Sequence, residues 1–205
     1  MLLFATSNPG KFKRFCDELA PYGLAASQNP LNLMEPQETE IPDVAAHKAR
    51  QAFVLTGKPV VVEDSGLCIP ALNNFPEALT KPVLQRLGLP GFLKILEGLE
   101  DRRCFFISCV GYAMADGTVG TIASTHETGE LLAAPVGAQR DFAWSALSYV
   151  FKPTNFPTSM ADFTPAQTEA LFAEWRPHNV FNRFARFASQ NREAFGLPGA
   201  NSAAA

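Results

Sequence analysis

Apolar residues fall in runs whose period changes along the chain, and each change marks a structural element. Leu2 to Ala5 is continuously apolar, which predicts a buried strand. Thr6-Ser7-Asn8-Pro9-Gly10 breaks the run, and Phe12, Phe15, Cys16 and Leu19 then recur at helical spacing between Lys11 and Leu19. Asn8 can cap that helix, and Pro9 suits its first position because a proline there sacrifices no intrahelical hydrogen bond. Residues 28–42, rich in Pro, Asn, Gln and Glu, read as irregular connection. From Asp43, the residues Val44, Ala45, Ala49, Ala52 and Phe53 outline a second helix, with Asp43 at its N-terminus and Gly57 just past its end.

Val60-Val61-Val62 is β-branched and apolar without alternation, so it predicts a central strand covered on both faces. Residues 76–98 carry two short helical patterns split by Gly88 and Pro90. Cys104 to Met114 reads as a long strand, Asp116-Gly117 as a hairpin turn and Val119 to Glu127 as the return strand. Ala143 to Phe151 is strand-like and aromatic. Ala166 to Trp175 and Asn179 to Arg192 are helical, and residues 196–205 read as a frayed tail. Strands alternating with helices, then a long hairpin, predict a mixed α/β fold. Its central mixed sheet carries flanking helices, with two lobes around a cleft, in a single domain spanning residues 1–205.

Composition narrows the function classes. At 205 residues and 47% hydrophobic, the chain can bury a core without disulfides or a structural metal. A net charge of −3 argues against gripping nucleic acid over a broad basic face. No uninterrupted run of about 18 apolar residues exists to span a membrane, and the start lacks the basic and long apolar regions of a secretory signal. A cytoplasmic protein is expected, with neither nucleic acid nor membrane as partner. Cys16, Cys68, Cys104 and Cys109 show no Cys-x-x-Cys pairing and read as reduced, buried hydrophobes.

Three polar clusters carry candidate chemistry. Thr6-Ser7-Asn8-Pro9-Gly10-Lys11 joins a strand to a helix, where free backbone N–H groups and the helix dipole suit an anion, so a phosphate site is the natural hypothesis. The Walker pattern is absent. The plainer alternative is that Asn8 only caps the helix and Lys11 is solvated. Glu63-Asp64-Ser65-Gly66 places two adjacent carboxylates where a buried strand emerges, an arrangement that a divalent cation, Mg²⁺ by preference, makes favourable. Side chains alternate along a strand, so both reach one cation only if the chain turns at Asp64, a turn Gly66 permits; otherwise this is a polar turn. Asp43 and Lys48, about a turn and a half apart, either cap and solvate a helix or offer a metal ligand and a phosphate contact.

Together these stretches resemble the inosine triphosphate pyrophosphatase family, the Ham1/RdgB-like non-canonical purine NTP pyrophosphatases. Thr6-Ser7-Asn8-Pro9-Gly10-Lys11 resembles that family's opening Thr-x-Asn-x-x-Lys motif. Asp43-Val44-Ala45-Ala46-His47-Lys48-Ala49 is similar to its Glu-Asn-Ala-x-x-Lys-Ala helix, and Val62-Glu63-Asp64-Ser65-Gly66-Leu67 to its acidic Asp/Glu-Asp-Ser-Gly-Leu signature. The Cys104–Thr125 hairpin and Gly129-Glu130-Leu131 also fall where the family has a hairpin and a Gly-x-Ile segment. Toward the C-terminus the likeness weakens. Phe142-Ala143-Trp144-Ser145-Ala146 keeps the aromatic of the family's Phe-Gly-Trp/Tyr-Asp-Pro but loses the aspartate, and Pro177-His178-Asn179 is the nearest match to its Ser-His-Arg.

The resemblance implies a Mg²⁺-dependent pyrophosphohydrolase, acting as a homodimer. It would convert a nucleoside triphosphate, such as ITP, dITP or XTP, to the monophosphate and pyrophosphate. On this reading Asp43, Glu63 and Asp64 hold the metal, and Asp64 activates a water with Lys48 beside it. Thr6, Ser7, Asn8, Lys11, Ser65 and Gly66 bind the phosphates, and Phe142, Trp144 and His178 receive the base. Glu38 and Glu40 are spare carboxylates that can stand in for Asp43. The alternatives are a catalytically weak nucleotide-binding module, favoured by the missing Ser-His-Arg, or a house-cleaning hydrolase for other modified nucleotides.

Overall fold

The computed structural model describes residues 1–36, 40–138 and 145–199. Its strands are β1 (Leu2–Phe4), β2 (Ala26–Gln28), β3 (Val60–Cys68), β4 (Pro76–Glu77), β5 (Arg103–Ala113), β6 (Val119–Leu131) and β7 (Phe151–Pro153). Its helices are α1 (Pro9–Leu19), α2 (Ile41–Thr56), α3 (Thr80–Ile95), α4 (Pro165–Trp175) and α5 (Val180–Gln190). Hydrogen-bonded strands follow the order β2-β1-β3-β5-β6-β7, with β4 on β3. β1 runs parallel to β2 and β3, whereas β4 pairs antiparallel to β3 and β7 to β6. The fold is thus mixed α/β, as the pattern of strands and helices predicts.

The chain divides into two compact units. The first comprises Met1–Asp64, Ser108–Ser124 and His178–Ala205. Here β3 explains why three successive valines lack alternation. Val61 joins the cluster of Phe4, Phe15, Phe181 and Phe184 beneath α1 and α5, while Val60 and Val62 join Ala49 and Ala52 of α2. Both faces of the strand are therefore buried, and every position must be apolar. Phe15 lies with its ring centroid 4.4 Å from that of Phe4 and 5.3 Å from that of Phe181, tilted and edge-on contacts that add to the area each ring buries. Arg192 ties the end of this unit down by donating to the carbonyls of Tyr22 and Pro198. Leu197 is buried in the same cluster, so the tail expected from residue 196 is anchored at that point. Residues 200–205 lie outside the described residues.

The second unit comprises Ser65–Ile107 and Thr125–Pro177. Its core gathers Leu67, Phe92, Phe106, Phe151, Phe163 and Trp175. α3 is two helical pieces meeting at Gly88, whose φ of 64° is non-helical, as the Gly88 and Pro90 punctuation predicts. The stretch expected as a strand up to Phe151 is different. Ala146–Tyr149 forms a one-turn 3-10 helix, because Ser145 accepts a hydrogen bond from the Leu147 amide through its side chain and from the Ser148 hydroxyl through its carbonyl. Strand pairing with β6 among the described residues of this stretch begins at Phe151, the start of β7.

Candidate active site

The site is built in the first unit around two consecutive residues of β3. Alternation along the strand sends Glu63 to the face of Val61, under α1, and Asp64 to the face of Val62, under α2. Each finds a lysine there. Lys11, in the first turn of α1, makes an ion pair with Glu63, whose side chain is only 3% exposed. Lys48 of α2 lies with Nζ 2.8 Å from Asp64 Oδ2. Two adjacent carboxylates, costly on their own, are thus each compensated by a cation from a different helix.

The second pair is strongly perturbed. Burial pushes the Asp64 carboxyl above its ordinary value of 3.8; Lys48 pulls against that rise, and neighbouring Glu63 adds to it. Burial alone would lower the Lys48 ammonium, but Asp64 and Glu35 outweigh it and raise the group above its usual value. Lys48 therefore stays charged, and Asp64 is a carboxylate more basic than a solvated aspartate. Lys11 is also felt at Asp64, so the two pairs share one electrostatic neighbourhood.

At the start of α1 the expectation is half met. Asn8 caps the helix, its Oδ1 accepting from the amides of Gly10 at 2.9 Å and Lys11 at 3.1 Å, while Thr6 Oγ1 accepts from the Asn8 amide. Those helix-terminal N–H groups are consequently committed to the cap and are not free for an anion. Thr6 is half-buried, and Ser7 and Asn8 are exposed beside Lys11.

Gly66 is placed differently from the expectation. β3 continues through it to Cys68, so the chain makes no turn at Asp64. A Cβ at Gly66 would meet the Glu77 carbonyl oxygen at 2.3 Å, so the glycine serves the close pairing of β4 with β3. Without a turn, Glu63 and Asp64 stay on opposite faces. Asp43 does not join them: it is exposed in the first turn of α2, and five residues of helix set it about 140° around the axis from Lys48. Nor does it cap, since α2 begins at Ile41 with Glu40 preceding it. Among the described residues no three His, Cys, Asp or Glu side chains gather as a metal cluster. The donors therefore do not fit the expected three-carboxylate set.

The acidic residue that the sequence reading missed is Glu35, whose Oε1 lies 2.8 Å from Lys48 Nζ. The spare carboxylates named instead were Glu38, which lies outside the described residues, and Glu40, which is exposed. Of the base-binding candidates, Phe142 and Trp144 lie outside the described residues, and His178 is exposed in the short 3-10 segment ahead of α5. Arg183 donates to the Ala123 carbonyl.

A profile of the Ham1 family matches residues 2–173. The chain is 36% identical over 191 residues to a dITP/XTP pyrophosphatase of Methanopyrus kandleri, covering 89% of this chain and 99% of that one. It is 33% identical over 174 residues to an inosine triphosphate pyrophosphatase of Yarrowia lipolytica, covering 83% and 87%. The fold is shared with a HAM1 protein from Coxiella burnetii at a TM-score of 0.74, with 20% identity over 93% of this chain and 100% of that one. With the profile running from β1 through most of α4, and so across both lysine–carboxylate pairs, the chain belongs to the Ham1 family.

Proposed function

We propose that this protein is a nucleoside triphosphate pyrophosphohydrolase that releases pyrophosphate from non-canonical purine nucleotides such as ITP, dITP and XTP. The observation that carries the reading is the pairing of Lys48 with Asp64 on the two-sided strand β3, with Lys11 and Glu63 beside it. It places two ammonium groups, suited to a polyphosphate, next to a carboxylate of raised basicity, suited to a proton. The names of the relatives support the substrate class.

In this mechanism Asp64 accepts a proton from a water as its oxygen bonds to the α-phosphorus, and the bond from that phosphorus to the β-bridging oxygen breaks. Pyrophosphate leaves with the bonding electrons. Lys48 and Lys11 exchange part of their carboxylate pairing for phosphate oxygens and offset the charge that gathers there. The exposed Ser7 and Asn8 beside Lys11 add polar groups to the phosphate-facing side. Mg²⁺ carried by the substrate's phosphates would supply further positive charge toward the leaving pyrophosphate. Action as a cytoplasmic homodimer completes the reading, and family membership supports it.

The test is pyrophosphate release over a panel of purine and pyrimidine nucleoside triphosphates, with and without Mg²⁺. Release from ITP, dITP and XTP in preference to ATP and GTP, and only with the metal, is expected. No release across the panel would overturn the enzymatic reading, and equal rates for ATP and ITP would overturn the selectivity.

A further inference from the structure

The loop that carries Thr6, Ser7 and Asn8 is anchored on both sides before it opens α1. Toward β3, the Ala5 amide donates to the Val61 carbonyl at 2.8 Å. Toward β2, which runs parallel to β1 with Gln28 opposite Phe4, the Asn29 amide donates to the Phe4 carbonyl at 2.9 Å. Gln28 then reaches past the last paired residue of β1, and its Nε2 donates to the Thr6 carbonyl at 3.0 Å. Thr6 carries the order onward: its Oγ1 accepts from the Asn8 amide at 3.1 Å, and Asn8 caps the helix that bears Lys11.

One backbone donor of this loop is left over. Pro9 has no N–H, and the amides of Asn8, Gly10 and Lys11 are all taken by side-chain oxygens within the loop. The Ser7 amide has no partner among the described residues, and Ser7 is exposed. Its direction is nevertheless fixed. A trans peptide is planar, with the carbonyl and the following N–H pointing opposite ways, so whatever holds the Thr6 carbonyl also aims the Ser7 N–H. Gln28 holds that carbonyl toward β2, which turns the N–H away from that strand. A donor ordered before any ligand arrives binds an anion without a further ordering cost.

We infer that Gln28 is a positioning residue that aims the Ser7 amide as a donor to a phosphate oxygen of the substrate. This rests on the reading of the loop from Thr6 to Lys11 as a phosphate contact. The experiment follows inorganic tripolyphosphate, without divalent cations, by calorimetry and by the amide-proton NMR signal of Ser7. Gln28→Met keeps the length of the side chain and removes the donor. It is expected to bind about three- to tenfold more weakly than wild type, the scale of one hydrogen bond. The Ser7 amide proton should move downfield when wild type binds tripolyphosphate, and move less in Gln28→Met. A role confined to stability would lower the melting temperature and leave that response intact, and this result overturns the inference. So does a Ser7 amide proton that saturating tripolyphosphate leaves unmoved in the wild type. Lys11→Met separates the two claims. If it binds more weakly while Gln28→Met binds as wild type does, the positioning role falls and the phosphate contact stands. If Lys11→Met binds as tightly as wild type, or the wild type binds no tripolyphosphate, both fall.

Discussion

A carboxylate that must take a proton from water gains from burial and loses to a neighbouring cation, and Asp64 experiences both. Because burial wins, the acid limb of kcat/KM, which reports the free enzyme, should lie above the ordinary aspartate range. The sign follows from the role: the base works ionised, so activity falls as pH drops through its raised pKa. Replacing Lys48 with Met removes the pull that opposes burial, and the limb should move to still higher pH. A limb that stays put or moves down would detach Asp64 from Lys48. Asp64→Asn keeps the shape of the side chain and removes its basicity, so kcat should fall by about 10² or more, read from pyrophosphate release. Near-normal turnover in that variant would take the role away from Asp64.

Among the elements, β3 and α2 decide where those groups stand. The backbone of α2 presses on the sheet at Gly111 of β5, where a Cβ would meet the Ala45 carbonyl oxygen at 2.3 Å and Val62 Cγ2 at 3.0 Å. Lys48 sits one turn beyond Ala45, so this close approach sets its height above Asp64. Gly111→Ala must push the helix outward. It should cost about 1 to 3 kcal/mol in urea denaturation, the usual penalty of overpacking, with a raised KM as the lysine lifts. A variant as stable as wild type would show that the contact is slack. The two-sided burial of Val60-Val61-Val62 was legible because it leaves a mark in residue type, and with it the helix cap at Asn8 and the kink at Gly88. The straight run through Gly66 was not. A glycine that permits a turn and one that admits a neighbouring backbone look the same in one dimension, and only the approach of Glu77 distinguishes them. The assignment of Glu63 and Asp64 to one cation rested on that turn. Glu35 escaped notice for a related reason: no periodicity marks a residue in an irregular connection.

For the whole molecule, the four cysteines bear on what holds the chain together. All four thiols are free, and burial pushes those of Cys68, Cys104 and Cys109 up to about 12. Cys16 is half-buried. A thiol-specific reagent should therefore modify at most one cysteine in the native protein and four after denaturation, and reductant should leave the melting temperature unchanged. Rapid labelling of three or more native thiols would contradict the buried cores of both units. No helix among the described residues is long and apolar enough to cross a membrane. The division of labour around β3 bears on how such a protein can change. Glu63 and Asp64 are anchored mid-strand between packed neighbours, so no single replacement re-aims them without disturbing a core. Asp43 and Arg50 of α2 are exposed, and replacing them disturbs no core. Laboratory evolution toward new substrates should accumulate its substitutions there, leaving the strand untouched.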